Sequence, residues 1–339
     1  MSARKLAKLL AGVVLAAALG CTSSEDQTER PPDFETSGGL FMLLETHPGH
    51  RAEVCEKLEA RFDEFDIRGA IVEQEGDSQI IVRLPGFEDV AAARRLVRRG
   101  FMAWMLVGEE LLLDPAYAQD KLLELYERVV RELPDSGPDP DRPDRVVAYK
   151  DETGDLVSYA VFDRAVAEDD LIPPGTILRI YTDEDRPGKK IPEALLLRSS
   201  EERPYIIGPD DLERESCVVR TGAYDQPVVA FEIGTDEGKR RFREVTTAYS
   251  AESDKKIAVP GSRSYRGWRV AILVDDEVLS APSIRQPLSS GGVITGIGTS
   301  VEAKVLALQL RTGPLPPGVR VVECRLVPPA AETDQEGAQ

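Results

Sequence analysis

Val270 to Val322 reads VAILVDDEVLSAPSIRQPLSSGGVITGIGTSVEAKVLALQLRTGPLPPGVRVV. Two strand-like runs, Val270–Val274 and Val278–Ala281, flank Asp275-Asp276-Glu277. A reversal this tight needs a residue at positive φ, which Gly adopts freely and Asp only with strain. The reading places that strain at Asp276, so Asp276→Gly is expected to stabilise the turn by about 0.5 kcal/mol. Val293-Ile294-Thr295, between glycines, is a further strand. Thr299 or Ser300 can cap a helix over Val301–Leu310 with Leu306 and Leu310 on one face. The glycines from Gly291 to Gly298 suggest a phosphate loop, but the run lacks the Lys such a loop needs and contains no Gly-x-Gly-x-x-Gly. Turns between strands and helix account for them better.

The N-terminal part carries a different order. Leu40–Glu45 is a short strand, and Val54, Leu58, Phe62 and Phe65 recur at helical spacing. Ile67–Glu73 and Gln79–Leu84 flank Glu75-Gly76-Asp77-Ser78 as a hairpin, closed by Leu84-Pro85-Gly86. Asp89 can cap a helix that stops at Gly100, and Phe101–Val107 is a strand. The order is β-α-β-β-α-β, the ferredoxin-like pattern. Next come a helix over Pro115–Leu133 and a Pro/Asp-rich breaker from Pro134 to Pro143. Strand patterns follow at Val146–Tyr149, Val157–Phe162 and Thr176–Tyr181. Gly222–Ile233 reads GAYDQPVVAFEI and precedes Gly238, Phe242, Val245 and Thr246.

Three stretches together resemble the first large periplasmic domain of SecD, a subunit of the bacterial preprotein translocase. They are Val270–Val322, the hairpin through Gly76, Ile80 and Val82 to Leu84-Pro85-Gly86 and Ala91–Ala93, and the Gly-x-Pro-x-Val-x-Phe-like run at 222–233. The resemblance implies an α+β fold: a ferredoxin-like base built from two chain segments, 40–110 and 266–326, with an inserted α+β head over 111–265. It implies structural roles for Leu84, Pro85, Gly86, Asp275, Ala281, Pro282, Gly292, Gly296, Gly313 and Pro316. It also implies contact with exported unfolded polypeptide or with Sec translocon components, and it assigns no polypeptide-binding residue. In SecD a bundle of membrane helices follows this point. Here seventeen residues follow Val322, and those from 327 to 339 read as a disordered tail.

The first twenty residues supply another route to a membrane. Arg4, Lys5 and Lys8 precede an apolar run from Leu9 to Leu19, shorter than the roughly 20 residues of a spanning helix. Ala18-Leu19-Gly20 before Cys21 resembles a lipoprotein box, with Ala18 where Leu is usual. That resemblance implies cleavage of residues 1–20 and acylation of Cys21. An ordinary secretory signal with an incidental Cys is the alternative. Residues 21–38 are polar and read as a disordered tether. Thr22 after Cys21 favours the outer membrane in a Gram-negative host, with the domain facing the periplasm or exterior.

The whole chain has 42 basic and 60 acidic residues, a net charge of −18. Without the leader the balance is 39 against 60, or −21. Such a surface repels nucleic acid and anionic headgroups. Cys55, Cys217 and Cys324 match no disulfide framework and read as buried free thiols. His47 and His50 lie in a Thr-His-Pro-Gly-His turn without a third ligand, so no metal site is assigned. Arg94, Arg95, Arg98 and Arg99 crowd one helix, as a solvated face or as an internal counter-charge or docking patch. No nucleophile elbow or triad is visible, so no enzyme and no cofactor are expected. Two functions remain: a lipid-anchored accessory to protein export, and a structural envelope lipoprotein that kept the fold without the transport role.

Overall fold

The computed structural model describes residues 33–132, 149–150, 156–157, 172–173, 175–182, 192–199, 204–222, 225–259, 261–275 and 277–329. Cys21, Asp276, the Pro134–Pro143 breaker, the strand patterns at 146–148 and 158–162, and most of the 327–339 tail lie outside them. Asp33 caps a helical turn, α1 (Phe34–Ser37), by accepting the Glu35 N–H. The tether read over 21–38 therefore does not extend through its last residues.

β1 (Gly39–Glu45), α2 (Arg51–Glu64), β2 (Ile71–Glu75), β3 (Gln79–Pro85) and α3 (Val90–Leu96) follow in the expected order. Asp89 caps α3 by accepting the Ala92 N–H at 2.9 Å. Alternation puts Leu40, Met42 and Leu44 of β1 and Ile80, Val82 and Leu84 of β3 on one face, all fully buried. Val54, Leu58 and Phe62 of α2 and Ala93 and Leu96 of α3 cover that face.

The next strand, β4 (Met102–Leu106), departs from the ferredoxin-like expectation. It does not pair with β1. That place belongs to the last strand of the chain, with Met42 opposite Cys324 and Leu40 opposite Leu326 in an antiparallel ladder. Burial explains the exchange. All five β4 residues are buried, so β4 needs cover on both faces. The last strand has no fully buried residue and tolerates an edge.

α4 (Gln119–Glu132) follows, shorter at its start than expected because Pro115–Tyr117 forms a separate turn capped by Asp114. Then come β5 (Tyr149–Lys150), β6 (Leu156–Val157), β7 (Thr176–Thr182), β8 (Pro192–Arg198), β9 (Leu212–Thr221), β10 (Pro227–Ile233) and α5 (Asp236–Tyr249). β11 (Ile257–Ala258), β12 (Tyr265–Arg266), β13 (Val270–Val274), β14 (Glu277–Ser280), β15 (Gly291–Ile294), α6 (Ser300–Thr312) and β16 (Arg320–Val327) complete the chain. A four-stranded sheet runs β16-β1-β3-β2, and two three-stranded sheets run β15-β10-β9 and β14-β13-β4.

β4 and β13 divide two cores between their faces. Met102, Trp104, Leu106, Val270 and Ile272 join Val229, Phe231, Phe242 and Ile294 in one. Met105, Val107, Ala271 and Leu273 join Leu195 and Leu197 of β8 in the other. α6 is also two-sided. Val305 and Leu308 enter the core of the β1 sheet, while Ala303, Leu306, Ala307 and Leu310 enter the core under β10. A helix apolar on most of its circumference is buried on most of it. Thr299 and Glu302 close its N-terminus as a reciprocal capping box.

Candidate functional site

The residues that tie the two ends of the chain together meet around Arg61. Arg61 lies three residues after Leu58 on the apolar stripe of α2 and is fully buried. Its guanidinium donates to the carbonyls of Leu96 at 2.8 Å, Arg98 at 2.5 Å, Arg99 at 3.0 Å and Gly313 at 2.9 Å, and to Thr312 Oγ1 at 3.1 Å. The four carbonyls lie at and just beyond the C-terminal ends of α3 and α6, which a cation suits. Burial pulls the Arg61 pKa down to about 10, with the charge of Asp275 opposing, so the group stays charged at neutral pH.

Asp275 completes the junction. It has φ 51, a positive φ within this turn, while Asp276, expected to carry the strain, lies outside the described residues. Its carboxylate accepts the N–H of Gly100 at 3.0 Å and of Phe101 at 2.8 Å. Burial pushes this carboxyl above its ordinary value, against the two backbone bonds and the nearby Arg98 and Arg61 charges. Gly100 has φ 73, and a Cβ there would meet Gln309 Cβ at 2.8 Å. Only glycine fits that close approach of the α3–β4 link to α6.

A second buried ion cluster lies at the end of β4. Glu109, 4 % exposed, accepts both arms of Arg266 at 3.0 and 2.9 Å and Arg269 Nε at 2.6 Å. Arg269 also donates to Glu193 at 2.8 Å. Burial works against the Glu109 charge, but the bonds and charges of Arg266 and Arg269 outweigh it and hold the carboxyl below the ordinary carboxylate value. Sequence reasoning missed Arg61 and Glu109. An Arg on an apolar stripe was a usable signal; nothing local marks Glu109.

The residues expected from the resemblance fall into three places. Leu84 is in the β1-sheet core, and Pro85 and Gly86 sit beside Gly39 and Gly38 at the end of the ladder. Asp275 and Gly313 meet at the Arg61 junction, with Pro316 buried nearby in sequence. Ala281 packs on the core beside β8, and the Pro282 carbonyl accepts the Val270 N–H. Gly292 lies on β15, and Gly296, at φ 79, turns the chain after it.

The arginines of the α3 region point to neighbours within the chain. Arg95 pairs with Glu302 at 2.6 Å, Arg98 with Glu277 at 3.4 Å, and Arg99 lies over the Phe101 ring. His47 caps its own turn by accepting the Gly49 N–H. No disulfide joins Cys55, Cys217 and Cys324; Cys55 and Cys217 are buried as expected and Cys324 only partly so, and burial raises the Cys55 thiol and pushes Cys217 to about 11. Among the described residues no helix is long and apolar enough to cross a membrane.

Residues 192–317 match the family described as SecDF, P1 head subdomain, and residues 52–100 match the N-terminal part of the P1 domain of protein translocase subunit SecDF. The head match takes in 266–317, which the sequence reading assigns to the base. Protein translocase subunit SecD of Elusimicrobium minutum is 29% identical over 315 residues, 89% of this chain and 54% of that protein. SecD of Calditerrivibrio nitroreducens is 31% identical over 57% of this chain and 34% of its own length. SecDF of Thermus thermophilus is 33% identical over 39% of this chain and 16% of its own. The chain spans about half the length of the relatives it matches most fully. A SecDF structure in a super-membrane-facing form aligns over 88% of this chain and 32% of that one, with TM-score 0.48 and 20% identity. A structure described as a membrane component SecDF that enhances protein export aligns over 85% of this chain and all of that one, with TM-score 0.45 and 20% identity. Through its two matched segments, this chain is homologous to the periplasmic P1 domain of SecD and SecDF.

Proposed function

We propose that this chain is a lipid-anchored, SecD-like periplasmic domain that contacts exported polypeptide or Sec translocon components during protein export. The observation that carries this reading is the head-subdomain match over 192–317. The base is formed by 40–110 with 266–326, and 111–265 is inserted between them as the head. Pairing of β1 with β16 and the Arg61 and Asp275 bonds across the two segments support that partition. The head match extends to residue 317, and α6 contributes to the cores on both sides, so α6 is a wall shared by base and head.

Acylation of Cys21 provides the anchor, and Thr22 directs it to the outer membrane of a Gram-negative envelope. The role is binding, without catalysis, cofactor or metal. A photo-crosslinking residue placed at exposed Val219 or Tyr265 of the full chain tests the reading in the native envelope. Adducts with newly exported polypeptides are expected. A folded, anchored protein that yields none, with Sec components or with exported chains, supports a structural envelope lipoprotein instead.

A further inference from the structure

β15 ends the β15-β10-β9 sheet, and among the described residues only β10 pairs with it. The pairs are Phe231 with Gly292 and Val229 with Ile294, and the Ile233 N–H donates to the Ser290 carbonyl at 2.7 Å. In an antiparallel ladder the backbone groups of alternate residues face the partner. Ser290, Gly292 and Ile294 therefore face β10, and Gly291 and Val293 turn their N–H and C=O groups away from it.

Sheet edges of this kind are usually blunted by charged residues or proline within the strand. This one is not. In a chain that is 30% charged, no charged residue occurs from Gln286 to Val301, and Pro287 lies ahead of the strand. Gly292 is exposed, and Val293 is 52 % exposed. Val293 also heads an apolar row across the sheet, opposite Ala230, which in turn lies opposite Val218. A strand added beside β15 would extend this row.

We infer that an extended segment of exported polypeptide docks on the outer edge of β15 as an antiparallel fourth strand. This rests on the export reading above and names where and how the client binds. The outward N–H and C=O groups select the occupant, because only an extended backbone repeats complementary donors and acceptors at strand spacing. Main-chain pairing is tolerant of sequence, which suits a domain that meets many different chains. It is also insensitive to the strong negative charge of this protein, so binding depends little on salt. The client residue opposite Val293 shares its face and directs its own N–H to β15, and that position favours an apolar side chain.

The test uses the full chain and a short peptide of alternating Val and Thr with uncharged Ser-Gly flanks, read by fluorescence anisotropy. With Val side chains on the Val293 face, N-methylation of the Val residues is expected to weaken binding by about tenfold or more. N-methylation of the Thr residues should leave it unchanged. Val293→Pro removes an outward N–H without touching the β10 ladder and should weaken binding similarly. Equal binding of both methylated peptides overturns the inference without depending on any folded variant. So does self-association of the full chain that Val293→Pro abolishes in the absence of peptide binding, which would make a second copy the occupant. In the envelope, undiminished exported-polypeptide adducts with Val293→Pro overturn the edge while leaving the export reading intact. Absence of adducts with the parent chain overturns both.

Discussion

Asp275 and Phe101 hold each other twice: the Phe101 N–H donates to Asp275 Oδ1 at 2.8 Å, and the Asp275 N–H donates to the Phe101 carbonyl at 2.9 Å. Residues 174 positions apart thus form one closed turn, in which a strained aspartate does what a glycine cannot. Its carboxylate binds the start of β4, and that bond offsets the strain of φ 51.

Asp275→Gly removes the strain and also two accepted backbone bonds, so a net loss of about 1–2 kcal/mol is expected in urea denaturation. A more stable variant would mean that the strain outweighs the bonds. The pH dependence has a definite sign. Burial raises the folded pKa above the ordinary 3.8, so the folded state holds this proton more tightly than the unfolded chain. Its contribution is full below 3.8 and declines as pH rises through the raised folded value. Asp275→Asn should flatten that part of the stability–pH profile.

Arg61→Leu leaves the ends of α3 and α6 without their shared donor in a buried site, and should cost about 3–5 kcal/mol. Arg61→Lys keeps the charge but not the fork that reaches four carbonyls, and should recover only part of the loss. Chemical denaturation of the three proteins checks the order. If leucine is as stable as arginine, packing rather than hydrogen bonding holds this junction.

Glu109→Gln should cost about 3 kcal/mol at neutral pH by breaking the buried charge cluster with Arg266 and Arg269. The folded pKa of Glu109 lies below the ordinary 4.5, so its contribution is present above 4.5 and is lost as pH falls through the folded value. The stability difference between parent and variant should therefore shrink on acidification below 4.5. A difference that stays constant across that range would show that the carboxylate charge is not what matters.

Cys21→Ala should abolish acylation and either release the protein from membranes or leave its leader uncleaved. Membrane fractionation with mass spectrometry of the N-terminus reads both. A mature, leader-free Cys21→Ala protein retained as fully as the parent would contradict the lipid anchor.

Local signals in the sequence determined the elements themselves. Spacing placed the α2 stripe of Val54, Leu58 and Phe62, the hairpin signal placed β3, Asp89 caps the helix it was expected to cap, and of Thr299 and Ser300 it is Thr299 that caps α6. Each of these rests on contacts within a few residues, which a linear pattern records. The partner of β1 was decided only by tertiary structure. β4 and β16 are both strands, and the choice between them turned on which needed cover on two faces. The same holds for Arg61, whose acceptors lie up to 252 positions away, and for Glu109, whose arginines lie 157 and 160 positions away. Hydrogen bonds and buried charge depend on distances in space, which no period of the chain encodes. The open edge of β15 is of this kind too: its uncharged sequence is visible in one dimension, but only the sheet order reveals that nothing described pairs beside it.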